Sequence, residues 1–180
     1  MSEADAGAEV APSLTLPDTS GETRSLPAPG EAPATVVFWT CNHCPYAIAW
    51  HDRLVAVATD YADRGVRFLA VNSNDSERYP ADSPDAMRER FEREHWPFPY
   101  LWDESQTAAR EWGAQTTPHL FVLDSDLRFR YEGAPDADHR DPSLKAAWLR
   151  EALDAVLAGE DPAQPRTEPV GCSIKWRNEH

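Results

Sequence analysis

What constrains this chain most is the order of patterns between residues 35 and 71. The run Thr35-Val36-Val37-Phe38-Trp39-Thr40 reads as a buried strand by its β-branched and aromatic content. Ala47, Trp50, Leu54, Val57 and Tyr61 then recur at helical spacing, and Gly65 suits the position just past the helix end. Val66-Arg67-Phe68-Leu69-Ala70-Val71 is the next strand. Strand, helix and strand in this order make a βαβ unit, which implies parallel pairing through a right-handed crossover. The turn between the first strand and the helix carries Cys41-Asn42-His43-Cys44. Two cysteines so spaced can close a small disulfide ring. The first thiol is expected near the helix N-terminus, where unpaired N–H groups and the helix dipole favour negative charge. A thiolate is the attacking species in disulfide exchange, so this placement predicts a redox dithiol. Pro45 costs little in the first turn and helps fix it.

The rest of the chain follows from its punctuation. Ser13-Leu14-Thr15-Leu16 and Arg24-Ser25-Leu26 flank a polar turn and read as two short strands. After a polar loop at 72–82, Ser83 can cap a helix whose first turn holds Pro84. That helix is expected to reach His95, where Trp96-Pro97-Phe98-Pro99 ends it. Tyr100-Leu101-Trp102 is extended, and a short helix over 104–112 closes at Gly113. Strands over 119–123 and 127–132 form a hairpin, because their link is too short for a crossover. Asp141-Pro142 opens a last helix on which Ala146, Leu149, Leu153 and Val156 share a face, and Gly159 stops it. The predicted organisation is a disordered stretch over 1–11, one α/β domain over 12–158 and a C-terminal tail over 159–180. The domain has a mixed central sheet flanked by helices on both faces, preceded by the strand pair.

Composition excludes some functions. A net charge of −14 argues against nucleic acid as a partner. No run of 18 apolar residues is present, so no membrane association through a spanning helix is expected. Residues 1–10 lack both a basic start and an apolar block, which excludes a signal peptide and points to the cytoplasm. There, closely spaced cysteines are expected to be catalytic or metal-binding rather than structural.

The Cys41-Asn42-His43-Cys44 turn, followed at long range by Thr117-Pro118 before a hairpin, resembles the thioredoxin-like superfamily. The N-terminal pair with Leu14-Thr15-Leu16 and Asp18-Thr19-Ser20-Gly21 resembles its peroxiredoxin branch, the alkyl hydroperoxide reductase and thiol-specific antioxidant (AhpC/TSA) proteins. More narrowly, residues 38–46 and Gly171-Cys172-Ser173-Ile174-Lys175-Trp176 are similar to a bacterial and archaeal peroxiredoxin-like group. The resemblance implies a thioredoxin-like fold in which Cys41 attacks and Cys44 resolves. It also implies a cis bond at Thr117-Pro118, which would leave the backbone of residue 117 to pair with an extended substrate chain. The peroxidatic position of peroxiredoxins aligns with Cys44. The threonine and proline that precede it in that branch are replaced here by Cys41 and Val37. The resemblance therefore implies the fold more strongly than peroxidase activity.

Supporting roles follow from position. His43, between the cysteines, would stabilise a Cys41 thiolate if its ring faced that sulfur. His119 is read as a core or surface histidine, with approach to the dithiol as the alternative, and Trp39 either shields the dithiol or packs. Cys172 has two readings: a thiol that resolves or relays electrons from the pair, or a buried anchor for the tail with Ile174 and Trp176. The expected activity is thiol–disulfide oxidoreduction by Cys41 and Cys44, with an external reductant such as a thioredoxin or small thiol and no bound cofactor. A thiol peroxidase is one alternative. Copper or zinc binding by Cys41, His43, Cys44 and His119 or Cys172 is another.

Overall fold

The computed structural model describes residues 9–177. Most of the stretch expected to be disordered lies outside that range. Its end does not: Phe129 N–H donates to Glu9 O and Ala11 N–H to Leu127 O, which lays these residues along the hairpin.

Five strands form the central sheet in the order β5-β4-β3-β7-β8. At its centre β3 (Ala34–Trp39) runs parallel to β4 (Arg67–Asn72) and antiparallel to β7 (His119–Asp124). Outside these lie β5 (Tyr100–Trp102), parallel to β4, and β8 (Phe129–Gly133), antiparallel to β7. The mixed sheet read from the sequence is thus present, with β3 buried along its whole length. Before it, β1 (Thr15–Pro17) and β2 (Thr23–Ser25) pair with each other. The Asp18 carboxylate holds their turn by accepting from the backbone of Ser20 and Glu22.

Alternation along β3 sends successive side chains to opposite faces. Val36 and Phe38 pack with Leu54 and Val57 of α1 (Pro45–Tyr61), Met87 of α2 (Pro84–Glu94) and Leu149 and Leu153 of α4 (Ala147–Leu157). Val37 and Trp39 meet Ala109 and Trp112 of α3 (Thr107–Trp112), together with Leu14 and Ile174. The helix ends obey the local chemistry. Ser83 Oγ accepts from Ala86 N–H at the start of α2, and Gly113 takes a left-handed φ of 70° after α3.

The last helix departs from expectation. Residues Pro142–Leu144 form only a 3-10 turn, Lys145 and Ala146 have positive φ, and α4 starts at Ala147. The cause is a buried carboxylate elsewhere in the chain. Asp136 Oδ2 accepts the Ala146 N–H at 2.8 Å and draws that residue out of helical continuity.

Beyond α4 the chain runs along the edge of the sheet. Glu132 N–H donates to Pro165 O, and Thr167 N–H donates to Glu132 O. It then crosses to the cysteine turn, where β9 (Cys172–Ser173) pairs antiparallel with β6 (Thr116–Thr117). Ile174 is wholly buried against the α3 face, and its N–H donates to Gln115 O.

Candidate active site

The cysteine turn sits where β3 passes into α1. Cys44 is the N-cap of the helix and Pro45 its first residue. This corrects the sequence expectation: the second cysteine, not the first, occupies the helix N-terminus. Both sulfur-bearing residues are 0% exposed, whereas Cys172 is half-buried. None of the three is disulfide-bonded.

Thr117, before the cis bond to Pro118, touches both members of the pair. Its Oγ1 is 3.5 Å from Cys41 Sγ. As a thiol, Cys44 donates to its carbonyl oxygen at 3.2 Å. Cys172 lies opposite Thr117 in the β6–β9 register and within hydrogen-bonding reach of Cys44. The strand partner expected for Thr117 was an external substrate; the chain's own tail holds that place.

The environments of the two thiols differ. A hydrogen bond from Cys41 pulls the Cys44 thiol down to about 4 against the opposing effect of burial, and contacts with Cys172, Thr117 and the Ala47 N–H act in the same direction. Cys41 moves the other way, far above the usual thiol range. Its proton is engaged by Cys44, burial disfavours its anion, and the Asp82 carboxylate repels it. Burial, joined by the neighbouring Cys44, pushes Cys172 up to about 11. Within the pair the downward shift falls on Cys44, the residue at the N-cap of α1.

Asp82 had no signal as a site residue in the sequence, yet it organises the turn. It is completely buried. Its carboxylate accepts from Asn42 N–H at 2.6 Å, from Asn72 Nδ2 at 3.2 Å and from Asn74 Nδ2 at 3.1 Å. His43 Nδ1 lies 2.5 Å from its other side. The His43 ring is thus bonded to Asp82 and stacked on Tyr79, with a ring nitrogen within 4.8 Å of Cys41 Sγ. Arg90, on the buried side of α2, donates to Cys41 O at 3.0 Å and Asn42 Oδ1 at 3.1 Å. Tyr100 also donates to Asn42 Oδ1. A helical arginine three residues after the buried Met87 was the available hint.

The remaining candidates sort cleanly. His119 is a core residue: its Nδ1 accepts from Gln115 N–H, its Nε2 meets Glu132, and its ring stacks on Phe121. Trp39 packs against Trp112 and Phe121, and its indole donates to Ser73. Among the described residues, the set that offers ligand atoms within metal-binding distance of one another is Cys41, His43 and Asp82. It differs from the expected set, since neither His119 nor Cys172 joins it. The Asp82 oxygens in it are already taken by four hydrogen-bond partners. A cavity of about 550 Å³ between α3 and the β8 edge has no cysteine in its lining. No described helix is long and apolar enough to cross a membrane.

Residues 8–132 match the AhpC/TSA family. No curated protein matches the chain. An uncharacterized conserved protein from Geobacillus kaustophilus is similar at 37% identity and a TM-score of 0.90, with 96% of this chain and 93% of that one covered. The hypothetical protein SMc02350 from Sinorhizobium meliloti 1021 is similar at 33% identity and a TM-score of 0.89, covering 96% and 95%. Peroxidoxin BcpB from Mycobacterium tuberculosis shares the fold at 17% identity and a TM-score of 0.62, covering 84% and 96%.

Proposed function

The chain belongs to the AhpC/TSA family, and we propose that it is a thiol–disulfide oxidoreductase whose redox centre is Cys41 and Cys44. The observation that carries this reading is the buried Cys41–Cys44 pair at the strand-to-helix turn, with Cys44 as the helix N-cap and Thr117 against both sulfurs; the downward shift of Cys44 and upward shift of Cys41 agree with it. The roles are the reverse of those drawn from the sequence. Cys44 thiolate attacks one sulfur of a substrate disulfide, forming a mixed disulfide and releasing the other half as thiolate. Cys41 then attacks the Cys44 sulfur, passes its proton to the departing thiolate and leaves a Cys41–Cys44 disulfide. An external thiol or dithiol of the thioredoxin type returns the two electrons. Asp82 and Arg90 act as positioning residues that hold the turn through Asn42 and Cys41 O. We place it in the reducing cytoplasm, where closely spaced thiols serve exchange rather than structure.

A second reading draws on the same Cys44 thiol, which occupies the position aligned with the peroxidatic cysteine. Cys44 thiolate would attack a hydroperoxide and release the alcohol, and the sulfenic acid formed would condense with Cys41 to give water and the same disulfide. Reduction of insulin disulfides, run beside stopped-flow consumption of hydrogen peroxide, separates the two. Disulfide reduction that disappears in Cys44→Ser supports the proposal. Peroxide consumption that outpaces it and survives Cys41→Ser favours the second reading. Stoichiometric zinc or copper retained through purification, and released on Cys41→Ser, overturns both.

A further inference from the structure

The proposed dithiol is sealed from solvent, and what seals it is a segment of the same chain carrying a third thiol. The seal is built rather than incidental. Register in the β6–β9 pair sets Cys172 opposite Thr117 and Ser173 opposite Thr116. Gly171 lies so close to Thr117 that a Cβ there would overlap the Thr117 carbonyl. Past the thiol, Lys175 N–H donates to Asn74 Oδ1, and Asp75 N–H and Gln106 Nε2 both donate to Lys175 O. Arg177 N–H donates to Gln106 Oε1. The segment therefore enters and leaves the cysteine turn through fixed contacts on both sides of Cys172, and it fills the strand position beside the cis-proline loop.

We infer that Cys172 is a third exchanging thiol, an internal substrate that carries the disulfide from the sealed Cys41–Cys44 pair to the surface. The inference rests on the dithiol reading above. The step is an isomerisation and needs no oxidant beyond the Cys41–Cys44 disulfide. Cys172 thiolate attacks the Cys44 sulfur, the Cys41–Cys44 bond breaks, and a Cys44–Cys172 bond forms. The electron pair leaves on Cys41, which takes up the proton lost by Cys172. An external thiolate then attacks the half-exposed Cys172 sulfur and frees Cys44. Part of what holds Cys172 in its protonated form is the neighbouring Cys44 thiolate; a disulfide at Cys44 removes that charge, while Lys175 favours the Cys172 anion. The sequential order makes Cys44 the central sulfur, bonded in turn to each of its two neighbours.

The test is disulfide mapping by mass spectrometry of the full chain after reduction and treatment with one equivalent of diamide. In Cys41→Ser, the Cys44–Cys172 bond should form in most molecules. In the unsubstituted chain, it should coexist with Cys41–Cys44. Gly171→Ala, which pushes the strand off Thr117, should cut the yield of Cys44–Cys172 in the Cys41→Ser background and raise the alkylation rate of Cys44 about tenfold, as expected when a sealed site opens. Cys44 recovered free or bonded only to added thiol in Cys41→Ser, with Cys172 unreacted, overturns the relay. The dithiol reading survives that outcome if Cys41–Cys44 forms in the unsubstituted chain. Failure of Cys41–Cys44 to form there, with Cys44–Cys172 intact in Cys41→Ser, sinks the dithiol reading instead and leaves Cys172 as the exchange partner.

Discussion

Two buried aspartates organise this molecule, and they are treated oppositely. Asp136 is paired with a guanidinium: Arg53 Nη1 reaches both of its oxygens at 2.9 and 2.8 Å, and Trp50 Nε1, Asp138 N–H and Ala146 N–H also donate to it. Arg53 is itself tied to the carbonyls of Asp138 and His139. Asp82 has no guanidinium on it; its partners are a backbone N–H, two asparagine amides and His43. Arg90, which braces the same turn, donates instead to Cys41 O, Asn42 Oδ1 and the Glu94 carboxylate. The contrast separates a site that locks α1 to the start of α4, its charge falling on the Tyr131 hydroxyl, from one whose charge falls on a neighbouring thiol. That neighbour is Cys41, which Asp82 helps to keep protonated.

The comparison can be broken in four places. The largest effect belongs to the turn above Asp82: Cys44→Ser should lower disulfide reductase turnover about 10³-fold or more, since residues acting as one unit fail together. Far-ultraviolet circular dichroism and the urea midpoint should stay near those of the unsubstituted protein. Next comes Asp136→Asn, which leaves Arg53 buried and unpaired and should cost about 3–5 kcal/mol in urea unfolding while turnover per folded molecule is retained. Pairing Asp136→Leu with Arg53→Met should recover much of that loss. If the double variant is no more stable than Asp136→Asn, the charge pair is not what holds that corner.

Asp82→Asn should be milder in stability, about 1–3 kcal/mol for hydrogen-bond donors left facing an amide. Its distinguishing readout is electronic: ultraviolet thiolate absorbance should show Cys41 titrating closer to the ordinary thiol range. A large stability loss with an unchanged thiol titration would make Asp82 a second Asp136 and erase the contrast. The smallest change is in pH dependence. A thiol whose pKa is depressed to about 4 stays anionic above that value, so alkylation of Cys44 should be flat at neutral pH and fall as pH drops through about 4. In Cys41→Ala the strongest stabilising hydrogen bond is gone, and the fall should begin at higher pH. An unshifted profile would mean that the Ala47 N–H and the helix end suffice without Cys41.

The fold was legible where local pattern and local cause coincide. The βαβ unit, the Ser83 cap, the Gly113 stop and the hairpin all follow from residues within one element or its immediate flank. The late start of α4 was not legible, because its cause is a carboxylate ten residues upstream acting on Ala146 N–H. At the site, the cysteines and Thr117-Pro118 announced themselves by spacing and resemblance. Asp82 did not, since a polar loop of asparagines and aspartates looks solvated until the chain folds it inward. The two-residue strand of Cys172 and Ser173 has no periodicity to read, so its place on Thr117 emerges only from long-range packing. The attacking role of Cys41 came from the resemblance; its place near the helix end came from the turn, and there the structure puts Cys44 at the N-cap instead.

The course of the last strand also decides how the protein can be handled. Past Cys172 the chain is held through Lys175 and Arg177, so a pull from beyond residue 177 loads their contacts with Asn74, Asp75 and Gln106 first and the two residue pairs of β6 and β9 next. Those pairs sit on the thiols, and load applied there would peel the cover away and expose Cys44 while the six-pair seam of β3 and β7 stays closed. Attachment through the other end loads the contact of residues 9–11 with the hairpin and leaves the cysteines out of the line of force. Loaded from one terminus the molecule would uncover its thiol, and from the other it would keep the thiol in its native enclosure.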